Sequence, residues 1–123
     1  MEKKKILYIQ TSGVNTPQRL YSPFILAQTA KAMDIEPTLY FLGEGISVVT
    51  KGEAEKIKMG TFPTLKEVMD QTAKMGVSML VCQQSMQLFG QDLTAADFVE
   101  GAKIVGAATL NSLVLESDGT MWF

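Results

Sequence analysis

One thiol stands out in this 123-residue chain: Cys82 is its sole cysteine and falls where the apolar run Val77 to Val81 gives way to Gln83, Gln84 and Ser85. The run is too short for a helix of its own and reads as a buried strand. Ser85 reads as the N-cap of a short helical turn ending near Gly90. Cys82 is then expected at the carboxyl end of a strand beside the free amides of a helix start, where open α/β sheets bind ligands. A thiol reacts as its thiolate, and at an ordinary pKa of about 8.5 only a few per cent is ionised at neutral pH. The chain has no histidine, so the groups left to favour the thiolate are the helix start, its amides and a cation on a facing loop, for which Arg19 is the candidate. Attack of a thiolate on sulfur needs no general base, which suits thiol exchange or sulfane-sulfur transfer. A free cysteine is also among the most often buried residues, so packing is the competing use of Cys82.

The missing imidazole sets aside Cys-His and Ser-His catalysis and most zinc sites. Neither GxxxxGKS nor GxxxxGKT occurs and no GxGxxG follows a strand, while Gly43-Glu44-Gly45 is too short to count as a phosphate loop. The net charge is only −2, and the lysines are scattered apart from Lys3, Lys4 and Lys5, so no nucleic-acid partner is expected. No apolar stretch approaches membrane-spanning length, and Met1-Glu2-Lys3 leads into a strand pattern and not a signal peptide. The expectation is a cytoplasmic protein with no membrane role, and a lone cysteine agrees with a reducing compartment. Among the eight methionines, Met75, Met79 and Met86 flank Cys82 and raise a soft-metal reading. Met75 ends a helix face and Met79 reads as core, so only Met86 is expected to reach the thiol, and neither metal nor cofactor is expected.

The elements that must position Cys82 follow from periodicity and punctuation. Ile6 to Ile9 is a first strand, opening at Thr11-Ser12-Gly13 into a loop that lasts to about Tyr21. Ser22 and Pro23 read as N-cap and N1 of a helix to about Met33, with Leu26, Ala30 and Met33 at helical spacing. Thr38 to Leu42 is a second strand, which implies a parallel crossover. Ile46 to Thr50 has strand propensity but lies between Gly45 and Gly52 and reads as a short helix or irregular segment. Lys51 to Lys58 reads as a solvated excursion. Thr64 caps an amphipathic helix with Leu65, Val68, Met69, Thr72 and Ala73 on one face and Gly76 as its stop. After Gly90, glycines at 101 and 106 would each cost about 1 kcal/mol inside one long helix. The stretch therefore splits into a short helix started by Thr94 with Asp97, a strand at Ala102 to Val105, a helix at Ala107 to Leu115 burying Leu110 and Val114, and a last strand at Gly119 to Phe123. One domain spanning residues 1–123 is expected.

With those residues in view, the chain resembles the DsrE/DsrF-like family. The likeness is carried by Cys82-Gln83-Gln84-Ser85-Met86, Leu88-Phe89-Gly90, Asp92-Leu93 and Gly101 to Ala107, and extends to Gly13 through Pro23-Phe24, Ala27 through Met33 and Gly43 to Gly52. The resemblance implies a three-layer α/β/α domain with a mostly parallel sheet of about five strands, assembled as a homotrimer or homohexamer. It also implies a cysteine, here Cys82, that carries sulfur as a persulfide or bound thiosulfate group between donor and acceptor proteins. Gln84, Ser85, Met86, Ser12 and Arg19 are the candidates for binding the sulfur anion, from where the loops should converge. Two functions stand side by side: a sulfur carrier or sulfurtransferase, and a scaffold subunit whose pocket holds a small anion without turnover.

Overall fold

The computed structural model describes residues 3–89 and 92–123. The chain start at Met1 and Glu2, and the Gly90 at which the helix after Cys82 is expected to end, lie outside the described residues. Strands β1 (Lys5–Gln10), β2 (Glu36–Phe41), β3 (Ser78–Cys82), β4 (Ala102–Val105) and β5 (Gly119–Trp122) form one sheet in the order β4-β3-β2-β1-β5. Every pairing is parallel. Parallel strands joined by helices are covered on both faces, which is why the central strands carry runs such as Ile6-Leu7-Tyr8-Ile9 and Leu39-Tyr40-Phe41 without polar alternation.

Helices α1 (Tyr21–Ala32) and α2 (Leu65–Lys74) lie on one face, and α4 (Ala107–Glu116) on the other. The larger core packs Tyr8, Leu39, Phe41, Met79 and Val81 of the sheet with residues of α1 and α2 such as Phe24, Leu65 and Met69. Burying a side chain of Phe24's size stabilises by about 2–3 kcal/mol. The smaller core on the other face holds Leu7, Ile9, Tyr40 and Cys82, against which Leu110 and Leu113 of α4 pack. The result is the three-layer α/β/α arrangement with a five-stranded parallel sheet that the sequence implies.

Local chemistry explains the element ends. The Thr64 hydroxyl accepts from the Glu67 amide at 3.2 Å and so caps α2. Gly76, at φ 83, turns the chain after it. Thr94 and Asp97 form a reciprocal capping box around a single 3-10 turn, Ala95–Asp97.

Several elements differ from the sequence expectation. α1 begins at Tyr21, ahead of the expected Ser22-Pro23 start, and the fully buried Leu20 takes the N-cap position. Pro23 is still tolerated, because an amide in the first turn has no partner within the helix to lose. Residues Gly43–Val49, by contrast, form a 3-10 helix in keeping with the short helix or irregular segment expected around Ile46 to Thr50. There Gly45 passes so close to β1 that a Cβ would stand 1.9 Å from the Gln10 carbonyl oxygen. The excursion at Lys51 to Lys58 is not wholly solvated, since Ala54 and Ile57 are buried in the larger core. Ala73 is exposed, and α4 turns Leu113 toward the sheet where Val114 was expected.

Candidate functional site

Cys82 ends β3, and the next residue opens α3 (Gln83–Phe89) with no loop between them. Ser85 therefore lies within the first turn of α3 and is not its N-cap. Amides in a first helical turn have no acceptor inside the helix, and those of Gln84 and Ser85 favour the ionised form of the Cys82 sulfur. The residue is 3% exposed. It stands beside Val105 of β4 in register and shares the smaller core with Tyr40.

Three side chains complete its surroundings. The Ser85 hydroxyl accepts from the Gly43 amide at 2.7 Å, which leaves its own proton free for the sulfur. Gly43 has φ 61, a left-handed conformation that costs glycine little and other residues more. The Gln84 side-chain oxygen accepts from the Cys82 thiol at 3.9 Å and from the Ala107 amide at 3.1 Å. The Tyr40 hydroxyl donates to the Gly106 carbonyl at 3.3 Å and also lies within hydrogen-bond reach of the sulfur.

Burial by itself pushes the Cys82 thiol up, but hydrogen bonds from the Ser85 hydroxyl, the Ser85 amide, the Tyr40 hydroxyl and the Gln84 amide outweigh it and hold the thiol below its ordinary value. The balance follows from hydrogen bonds to a charged form being stronger than those to a neutral one. Burial, and then the neighbouring Cys82, push Tyr40 far above the ordinary phenol range. Tyr40 accordingly stays a neutral donor beside the sulfur.

The remaining candidates lie apart from the thiol. Arg19 is exposed and donates to the Ser12 hydroxyl at 3.5 Å. Ser12 follows β1, which β2 separates from β3, a distance of about 10 Å across the sheet. Met86 is half-buried and packs against the larger core. Among the described residues no group of three or more His, Cys, Asp or Glu is placed to hold a metal ion. A cavity of about 530 Å³, whose walls include Val14, Glu44, Ile46, Ser47 and Phe89, does not include Cys82.

Tyr40, Gly43, Gly106 and Ala107 are the residues sequence reasoning missed. The one signal for them is positional: in a parallel sheet the ends of β2 and β4 must flank the end of β3, so residues closing those strands converge on Cys82.

The sequence matches the model of the DsrE/DsrF-like family over residues 4–123. The chain belongs to the DsrE/DsrF-like family. Relatives include protein MJ0760 of Methanocaldococcus jannaschii, 29% identical over 119 residues and 96% of this chain, although the chain spans only 42% of that protein's length. The sulfur carrier protein DsrE2 of Allochromatium vinosum is 26% identical over 158 aligned positions, covering 96% of this chain and 97% of DsrE2. Among solved structures, the ychN protein of E. coli superposes with a TM-score of 0.73 at 12% identity, over 99% of this chain and 100% of that one. MTH1491 of Methanobacterium thermoautotrophicum does so with a TM-score of 0.70 at 13% identity, with the same coverage. These two likenesses establish a shared fold. In this DsrE/DsrF-like chain no helix among the described residues is long and apolar enough to cross a membrane.

Proposed function

We propose that the protein is a sulfur carrier that takes a sulfane sulfur onto Cys82 and passes it to a thiol of a partner protein. The observation that carries this reading is the ring of donors, from Ser85, Tyr40 and Gln84, which favours an anionic sulfur at the end of β3. A distant relative is named a sulfur carrier, which supports the same reading.

The Cys82 thiolate attacks the outer sulfur of a donor persulfide, R–S–SH. The new S–S bond forms as the donor's S–S bond breaks, and R–S⁻ leaves with the electron pair. With thiosulfate as donor the leaving group is sulfite. Delivery reverses the roles: an acceptor thiolate takes the outer sulfur and Cys82 departs as thiolate, a departure eased by its lowered pKa. Neither step needs an oxidant or a general base. On this reading Gln84 and Ser85 hold the sulfur, while Ser12, Arg19 and Met86 lie outside its hydrogen-bonded shell. A reducing cytoplasm keeps the thiol free between rounds, and the working unit is a homotrimer or homohexamer.

Intact mass after incubation with thiosulfate or a small-molecule persulfide tests the reading. One added sulfur in the native chain, lost with dithiothreitol and absent from Cys82→Ser, is the expected result. A Cys82 that takes up neither sulfur nor iodoacetamide until the protein is denatured would be core packing, and the carrier reading would fail.

A further inference from the structure

Two side chains near the Cys82 sulfur also hold the start of α4, its N-cap Gly106 and its first residue Ala107. Tyr40 donates to the Gly106 carbonyl and Gln84 accepts from the Ala107 amide. A phenol has a single proton, so the Tyr40 hydroxyl cannot serve Gly106 and the sulfur fully at once. A hydrogen bond to an anion is about twice as strong as one to a neutral acceptor. The charge on the sulfur thus decides where that proton points.

Gln84 is divided in the same way. Its oxygen accepts from the thiol proton and from Ala107. Ionisation removes the first donor and leaves that oxygen facing negative charge, which pushes the side chain off the sulfur and strains its hold on Ala107. What then remains over this part of the sheet is the packing of Leu110 and Leu113 of α4 on the smaller core.

We propose that Tyr40 is a positioning residue that senses the charge on the Cys82 sulfur and relays it to the β4–α4 turn. With a neutral thiol its proton fastens Gly106 and the turn is closed beside Cys82. With an anionic sulfur the proton turns to the sulfur, the Gly106 carbonyl keeps only the Thr109 amide, the hold of Gln84 on Ala107 weakens, and the first turn of α4 loosens. The anion is the thiolate or, where the inference rests on the carrier reading, the persulfide. The effect is to open a 3% exposed site to an acceptor thiol when there is a charged sulfur to deliver.

Among the described residues, Tyr40 from β2 is the titratable group facing Cys82. The residues toward it from the other elements are uncharged: Gln84 and Ser85 of α3, Val105 of β4, Gly106 of the turn and Leu110 of α4. A pH-dependent signal at the turn is thereby traceable to the sulfur.

Hydrogen exchange read at Ala107 and Thr109, whose amides are held by Gln84 and by the Gly106 carbonyl, tests the relay. After correction for intrinsic exchange, protection in the native chain should fall several-fold as pH rises through the thiol pKa, and Cys82→Ala should show no such change. Tyr40→Phe removes the hydroxyl and keeps the ring. It should abolish the response and move the midpoint of iodoacetamide alkylation against pH upward. Protection that is indifferent to the ionisation of Cys82 overturns the proposal even if Tyr40→Phe fails to fold, and so does a Tyr40→Phe protein matching the native one in both readouts. Intact mass after thiosulfate treatment addresses the carrier reading separately. A chain that takes no sulfur yet shows the Tyr40-dependent response keeps the relay and loses the carrier.

Discussion

The side-chain oxygen of Gln84 lies 3.1 Å from the amide of Ala107, so the residue two places beyond Cys82 also holds the first residue of α4. The parallel pairing of β3 with β4 brings the two turns together. Gln84→Ala should cost about 1 kcal/mol of stability, the usual worth of a hydrogen bond. It should also speed exchange of the Ala107 amide while leaving amides of the central strands unaltered. Urea denaturation with residue-resolved exchange measures both, and unaltered exchange at Ala107 would refute the tie.

The lowered thiol pKa makes stability depend on pH with a definite sign. The folded state releases the Cys82 proton below the unfolded value of about 8.5, so within that window the unfolded chain binds more protons and stability rises with pH. The contribution is complete above the unfolded value and is lost as pH falls through the folded one. Urea midpoints of native protein and Cys82→Ala, compared from pH 6 to about 9.5, should diverge upward for the native chain. At the upper limit unfolded Tyr40, with a reference pKa of about 10, is only about a quarter ionised, and it is present in both proteins. A difference that is flat or narrows with rising pH would show that the donors around Cys82 do not outweigh its burial.

Gly45→Ala should destabilise by about 3 kcal/mol or more. Its Cβ would stand 1.9 Å from the backbone oxygen of Gln10, an atom of a central strand that cannot swing aside as a flexible side chain can. Gly52→Ala provides the contrast, because no atom lies within 4 Å of its added Cβ and the cost there is the strain of φ 87 alone. Equal thermal midpoints for the two variants would mean that the strand and the 3-10 helix can part cheaply.

How much of this was legible in the sequence depends on whether the deciding interaction was local. Thr64 with Glu67, Thr94 with Asp97, and Gly76 after its helix are written within a few residues, and those ends were readable. Local readings failed where tertiary contacts decide. β-branched Val48 and Val49 have strand propensity, and only the glycines on either side pointed to the short helix that is found there, where Gly45 lies against β1. Ser85 has the chemistry of an N-cap, yet α3 grows straight out of β3 and places it within the first turn. Helix periodicity put Val114 on the buried side of α4, but the packing of the helix on the sheet turns Leu113 inward instead. At the site, Cys82, Gln84 and Ser85 are sequence neighbours and were visible. Tyr40 lies in β2 and Gly106 follows β4, and strand order must be known before they can be placed beside the thiol.

The edge strand β5 leaves Met121 42% and Trp122 56% exposed. In register with Tyr8 and Ile9, these two residues point to opposite faces of the sheet. An uncovered edge with a large aromatic is a strong association surface. Sedimentation should give a species larger than the 13.5 kDa chain, and Trp122→Ala should shift it toward the monomer. Assembly unchanged in the variant would place the contact elsewhere, and a monomer at micromolar concentration would remove the oligomer altogether.

Cys82 is the chain's sole thiol, which bears on the lifetime of a captured sulfur. In a protein with a neighbouring cysteine, the second thiol can attack the inner sulfur of a persulfide, close a disulfide and expel sulfide. That intramolecular drain does not exist here, and the eight methionines cannot supply it, because a thioether has no proton to lose. On the carrier reading, a sulfur atom on Cys82 therefore leaves by collision with a nucleophile on another molecule, a thiol or sulfite. Its residence time becomes a property of the encounter, set by the concentration and fit of the acceptor and not by a clock within the chain.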